Sequence, residues 1–295
     1  MMQRIRKPAV AGQFYTGSKS SLNQEIENCF LDSRGPGKKP TITQKNKKIF
    51  GVIVPHAGVM YSGAIAAHSY NCIAENGFAD TFIIIGPNHT GVGSRVSVMT
   101  EGFWETPLGK IPINSELAEN LCREMIDRDE VAHQYEHSIE VQLPFLQYMA
   151  QKKRFDFVPI SMAMQDYQTS NEVGLIIGKA IEKTEKKVVI IASSDFSHAG
   201  FNYDSMPPSE MKVEDYAKQQ DELAIQQILK MRAQGLIETV YNYNITMCGY
   251  GPVAAMLVAV KQLGAKNTEL LKYGTSCEVA PAQSCVGYGA VAVFE

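Results

Sequence analysis

Three of the six histidines in this 295-residue chain follow directly on short apolar runs. Pro55-His56-Ala57-Gly58 comes after IFGVIV, Gly86-Pro87-Asn88-His89 closes on TFIII, and Ser193-Ser194-Asp195-Phe196-Ser197-His198 follows KVVIIA. A single loop histidine is most often a structural residue, because both ring nitrogens bond readily to backbone. Three of them on independent segments, all at the same end of a strand, point instead to shared chemistry. A thiol completes the set: Cys248, in NITMCGYGP, sits where a polar stretch gives way to the apolar run VAAMLVAV. A free cysteine is ordinarily a small buried hydrophobe. Close to a helix N-terminus its pKa falls, and thiolate is the form that binds metals or attacks electrophiles. Two neutral imidazoles and one thiolate form a three-ligand set for zinc, iron or copper, with open positions for water or substrate.

A second group lies in HQYEHSIEVQLPFL, residues 133–146. Spacing predicts a helix start there, with His137 and Glu140 on one face and Pro144 interrupting it. Acidic residues at such a place also compensate the helix macrodipole, which gives Glu136 and Glu140 an ordinary role. His137 is the functional candidate, because a first helical turn disfavours its charged form and leaves a neutral imidazole able to exchange protons. His68, inside a helix-like run, is assigned to structure. Trp104 is expected to pack where a hairpin closes, Tyr61 to stand at the pocket wall and Arg95 at its rim.

The elements that must position these residues alternate. Strand-like runs at 49–55, 81–87, 155–161 and 187–195 interleave with helix-like runs at 63–75, 115–126, 138–149, 172–182, 214–230 and 252–263. The strand runs are almost wholly apolar, as expected where helices cover both faces of a mainly parallel sheet. The fold class is therefore α/β, and in such sheets ligands sit beyond the carboxyl ends of the strands. The tail from residue 270 to 295 reads as strand, loop, strand, able to close the sheet with antiparallel pairing. Residues 34–48, basic and broken by Gly and Pro, read as a solvated connection. No second boundary is visible, so residues 1–295 are taken as one domain.

Composition excludes several classes. A net charge of −3 offers no general attraction for nucleic acid or anionic lipid. No apolar run reaches transmembrane length. The opening MMQRIRKPAVAGQFY fails as a signal peptide, so a cytoplasmic protein is expected. In that setting the cysteines are expected to be reduced, although Cys277 and Cys285 are close enough to pair across a loop. No P-loop, Rossmann glycine signature or G-x-S-x-G elbow occurs.

Six segments in order, RKPAVAGQFY, VPHAGVMYSG, GPNH, YEHSIEVQLPFL, ASSDFSH and CGYGP, resemble the Memo family, mediators of ErbB-driven cell motility with bacterial and archaeal relatives. The resemblance implies a central mainly parallel or mixed sheet flanked by helices, as in class III extradiol dioxygenases, which hold iron by two histidines and a glutamate. It assigns His56 and His89 to the metal, His198 to the acid/base position, and His137 and Asp195 to polar positions of the pocket that orient substrate or water. Cys248 stands where the dioxygenases have glutamate. Thiolate is softer and more oxidisable than carboxylate, which argues against catechol ring cleavage. The implied cofactor is one transition-metal ion, iron or copper, with zinc also compatible. The implied activity is a metal-dependent redox reaction on a small molecule. The alternatives are a non-catalytic pocket for a peptide, phosphopeptide or partner, and a hydrolase or carbon–carbon bond-modifying enzyme working beside AMMECR-type and radical S-adenosylmethionine proteins.

Overall fold

Apolar β-branched runs pair into a sheet because each can bury both faces. In a computed structural model of the chain, which describes residues 4–43, 47–123, 125–151 and 153–295, they do so as expected. In chain order the elements are β1 (Ile5–Arg6), α1 (Lys19–Leu31), β2 (Ile49–Val54), α2 (Val59–Glu75), β3 (Thr81–Pro87), β4 (Val96–Val98), β5 (Phe103–Thr106) and β6 (Gly109–Pro112). There follow α3 (Ser115–Leu121), β7 (Asp127–Arg128), α4 (Leu143–Ala150), β8 (Asp156–Met162), α5 (Tyr167–Ile181), β9 (Val188–Ser193) and β10 (His198–Gly200). The last five are α6 (Val213–Leu229), α7 (Ala233–Asn242), α8 (Tyr250–Gln262), β11 (Asn267–Thr275) and β12 (Ser284–Phe294).

The main sheet is mixed, in the order β10-β12-β2-β9-β3-β8-β4-β7, with β11 on the other edge of β12. Its centre, β2-β9-β3-β8, is parallel, while β12 runs antiparallel to β2 and β11 antiparallel to β12. The strand–loop–strand reading of the tail holds. Every residue of β2 and β3 is buried, and two groups of helices provide the cover: α1, α2 and α4 pack together, as do α5, α7 and α8.

Three differences from the expected elements have physical causes. The helix expected over 115–126 stops at Leu121, with Cys122 as its cap; residue 124 lies outside the described residues. Pro144 falls in the first turn of α4, so it begins that helix instead of interrupting it, since the missing N–H has no intrahelical partner there anyway. The connection at 34–48 is anchored as far as it is described: Lys38 pairs with Glu75, Lys39 with Glu27, and the Thr43 N–H donates to the Ala74 carbonyl. Residues 44–46 of that connection lie outside the described residues, as do residues 1–3 of the opening segment.

A small second sheet, β1-β5-β6, carries the N-terminal segment. Trp104 on β5 is fully buried, with the Arg6 guanidinium 4.3 Å from its ring centroid. All six cysteines are free thiols, including Cys277 and Cys285. Among the described residues no helix is long and apolar enough to cross a membrane.

Candidate metal centre

The four parallel strands end on one edge, and each leads into a residue of the site. β2 leads into His56, β3 into His89, β9 into the Ser193–His198 segment, and β8 into Gln165. The loop before α8 brings Cys248 to the same edge. Gln165 fixes that loop from both sides, its Nε2 donating to the Cys248 carbonyl and its Oε1 accepting from the Gly251 N–H. Gly249 lets the loop lie against β9, because a Cβ there would come within 2.5 Å of the Ser193 carbonyl oxygen.

His56, His89 and Cys248 each offer one ligand atom, and the three atoms lie within 4.8 Å of one another. Cys248 Sγ is 3.1 Å from His56 Nε2. The His56 ring is buried, and its Nδ1 lies 2.9 Å from Ser193 Oγ. Burial first, then the neighbouring His137, His89 and His198, hold the His56 pKa well below the usual imidazole value. His89 is more open, with 35% of its side chain accessible. Its Nδ1 is 3.0 Å from Glu136 Oε1, while its backbone N–H donates to the other oxygen of the same carboxylate. Because a carboxylate only accepts, Nδ1 carries a proton, and in the neutral ring Nε2 keeps the lone pair.

Glu136 is the member of the site that the spacing argument misplaced. It is fully buried and also meets His137 Nδ1 at 3.3 Å. Burial alone would raise its pKa, yet the hydrogen bond from His89 and the two imidazoles hold it down at about 2. Glu140, expected on one face with His137, turns away to the N-terminal segment. There it receives the Arg6 guanidinium, the N–H groups of Ala9 and Val10 and the Tyr15 hydroxyl. The signal for Glu136 was present as an acidic residue beside His137, but a regular helix would have turned it elsewhere. In fact residues 136–137 precede the helix in an irregular segment. His137 is nevertheless held neutral, its pKa lowered to about 4 by burial against the opposing pull of Glu136.

His137 joins the cluster through its ring, with centroids 4.6 Å from His89 and 5.4 Å from His56. His198 stands on the flank at the start of β10. Its Nδ1 donates to the Thr246 carbonyl at 3.0 Å, which leaves Nε2 free, and its backbone N–H donates to Thr246 Oγ1. The loop that supplies Cys248 therefore also orients His198. Asp195 is buried, and its Oδ1 accepts from the backbone N–H groups of His56 and Ala57, which fixes the His56 loop. His68 bonds the Arg34 carbonyl, away from the site.

Cys248 differs from expectation in its ionisation. α8 begins two residues later, at Tyr250, and burial followed by the Asp195 charge pushes the thiol well above its usual pKa. Desolvation outweighs the helix terminus. Metal coordination deprotonates a thiol outright, so the donor set of one thiol and two imidazoles whose Nδ1 atoms are already engaged fits a bound cation. A cleft of about 880 Å³ among α5, α7 and α8 is lined by none of these residues.

Fold and cluster define an α/β protein whose parallel strands converge on a two-histidine, one-cysteine candidate metal site. A family model described as "Memo-like protein" matches residues 6–292, and the chain belongs to that family. It is 46% identical to the MEMO1 family protein MK0963 of Methanopyrus kandleri, covering 97% of this chain and 98% of that protein. The MEMO1 family protein MJ0403 of Methanocaldococcus jannaschii is 45% identical, over 99% of this chain and 100% of its own length. The crystal structure of the uncharacterized protein JW3007 from Escherichia coli K12 has a similar fold, with a TM-score of 0.56 at 15% identity, over 83% of this chain and 99% of that one.

Proposed function

We propose that the chain is a metal-dependent redox enzyme acting on a small molecule, with His56, His89 and Cys248 holding one transition-metal ion. The observation that supports this is the meeting of three ligand atoms from distant parts of the chain within 4.8 Å. A bound iron or copper ion would supply Lewis acidity and one-electron chemistry at its open positions, and zinc the Lewis acidity alone. His198 acts as general acid/base through Nε2, taking a proton from a hydroxylated substrate. His137, neutral and stacked on His89, faces the same space and orients substrate or water, while Asp195 positions the His56 loop. Cleavage of catechol rings is expected to be absent or weak, because a thiolate occupies the third ligand position.

The test is metal uptake by the purified protein after chelation and reconstitution. One equivalent of iron, copper or zinc is expected for the wild type, with uptake abolished in His89→Ala. No stoichiometric uptake, or equal uptake by both, defeats the proposal.

One observation favours a second reading, a pocket for a peptide or partner. Exposed aromatic and methionine side chains lie close in sequence to site residues: Tyr135 at 69%, Phe201 at 73% and Met206 at 61% accessible, with Tyr241 at the end of α7 and Tyr243 just after it, before Cys248. Arg95 is exposed on the loop after His89 and can receive an anion. Calorimetric titration with a tyrosine-phosphorylated peptide supports this reading if heat is released in wild type and lost in Arg95→Ala. AMMECR-type and radical S-adenosylmethionine partners remain proposals of the same kind, tested by co-purification.

A further inference from the structure

The two proposed metal-binding histidines are oriented by unlike groups. The ring Nδ1 of His89 faces a carboxylate, whereas the ring Nδ1 of His56 faces the Ser193 hydroxyl, which can donate or accept. The direction of that bond decides which nitrogen of His56 is left for a metal. It can be read by following hydrogen bonds inward from groups that have a single role.

The Pro55 carbonyl can only accept, so the Gln142 atom 3.0 Å from it is the amide nitrogen. The same nitrogen reaches Ser193 Oγ at 2.9 Å, so Gln142 donates to Ser193 as well. The amide oxygen of Gln142 accepts from the Tyr70 hydroxyl, which agrees with that orientation. The Ser138 carbonyl also can only accept, and it lies 2.6 Å from Ser193 Oγ. A serine hydroxyl has one proton, and here it goes to Ser138. Ser193 Oγ therefore has only lone pairs left for His56, and Nδ1 must bring the hydrogen to their 2.9 Å contact. Tyr70, Ser138, Gln142, Ser193 and His56 are all buried, which keeps bulk water from reversing the chain.

We propose that Ser193, held by Gln142 and Tyr70, is a positioning residue that locks His56 in the Nδ1–H tautomer and presents the Nε2 lone pair beside Cys248. The inference rests on the metal-site reading for its purpose, but not for its geometry. A neutral relay does for His56 what the Glu136 carboxylate does for His89. Without it, the two tautomers of a buried neutral imidazole compete, and the Nε2–H form must be converted before the nitrogen can bind an ion.

The experiment uses full-length, chelator-treated protein with ¹⁵N-labelled histidine. Two-bond ¹⁵N–¹H correlation spectra, with His56 assigned by its absence from His56→Ala, report which ring nitrogen carries the proton. Calorimetric titration with zinc(II) follows on the same samples. In wild type His56 is expected as the Nδ1–H tautomer. In Ser193→Ala a mixture is expected, together with zinc(II) affinity lower by about tenfold, the small end of the range for groups that orient metal ligands. Ser193→Thr, which keeps the hydroxyl, is expected to restore the single tautomer.

An Nε2–H His56 in wild type overturns the proposal whatever happens to Ser193→Ala, including failure to fold. An unchanged tautomer and affinity in folded Ser193→Ala overturns it too, leaving Ser193 a packing residue. Failure of the metal-site reading is separately visible: wild type then shows the Nδ1–H tautomer but no zinc(II) binding.

Discussion

The His56 and His89 arms of the candidate site reach the same point by opposite means. His56 is buried, its ring held through a neutral hydroxyl and its backbone N–H by the separate Asp195 carboxylate, and burial and the neighbouring imidazoles oppose any charge on it. His89 is one-third accessible and held at two points by a single buried carboxylate. The first arm is enclosed by its surroundings, while the second depends on one anion for both its backbone and its ring. A metal between them would have its most enclosed ligand at His56 and its most open one at His89, with Cys248 between the two in accessibility.

Removing a ligand should have the largest effect. Cys248→Ala is expected to abolish stoichiometric metal uptake in equilibrium dialysis, since it removes the thiol shared by no other part of the site; retention of full uptake would detach Cys248 from both arms. Next comes the contrast between neighbouring carboxylates. Glu140→Gln leaves the buried Arg6 guanidinium without its counter-charge, and denaturant unfolding should show a loss of about 3–5 kcal/mol. The folded fraction should still take up metal. Were the affinity to fall while stability held, Glu140 and not Glu136 would be the carboxylate of the site.

Glu136→Gln probes the open arm directly. Losing the charge that faces His89 and His137 should weaken zinc(II) binding by about 10–100-fold, a larger loss than Ser193→Ala causes on the enclosed arm. The reverse order in calorimetry would invert the comparison. The smallest effect on the metal belongs to His198→Ala. Its imidazole is held by Thr246 and is absent from the ligand group, so affinity should not change, while any substrate turnover found should fall by about 10²–10⁴-fold. A matching loss of affinity would place His198 among the ligands.

His56, His89, Asp195 and His198 were legible because the strands before them are apolar enough to be recognised without help from the rest of the chain. Cys248 was legible as a polar-to-apolar junction, although its ionisation was misjudged: a position near a helix start says nothing about how far a thiol is desolvated. Glu136 could not be separated from Glu140 locally. What separates them is Arg6, 134 residues from Glu140, which draws that carboxylate to the N-terminal segment and leaves Glu136 to the histidines. Ser193 reads only as the last residue of a buried strand, and its partner His56 is 137 residues away. The small sheet β1-β5-β6 escaped for a different reason: strands of two to four residues are too short to show a period.

The central claim is that His56, His89 and Cys248 bind one metal ion together. Crystallography of the reconstituted protein with anomalous scattering collected at the iron, copper and zinc edges tests it most directly. The account predicts one anomalous peak bonded to Nε2 of His56, Nε2 of His89 and Sγ of Cys248, with Ser193 and Glu136 still on the Nδ1 atoms. A peak elsewhere, or none at any of the three edges in protein soaked with each metal, would contradict it.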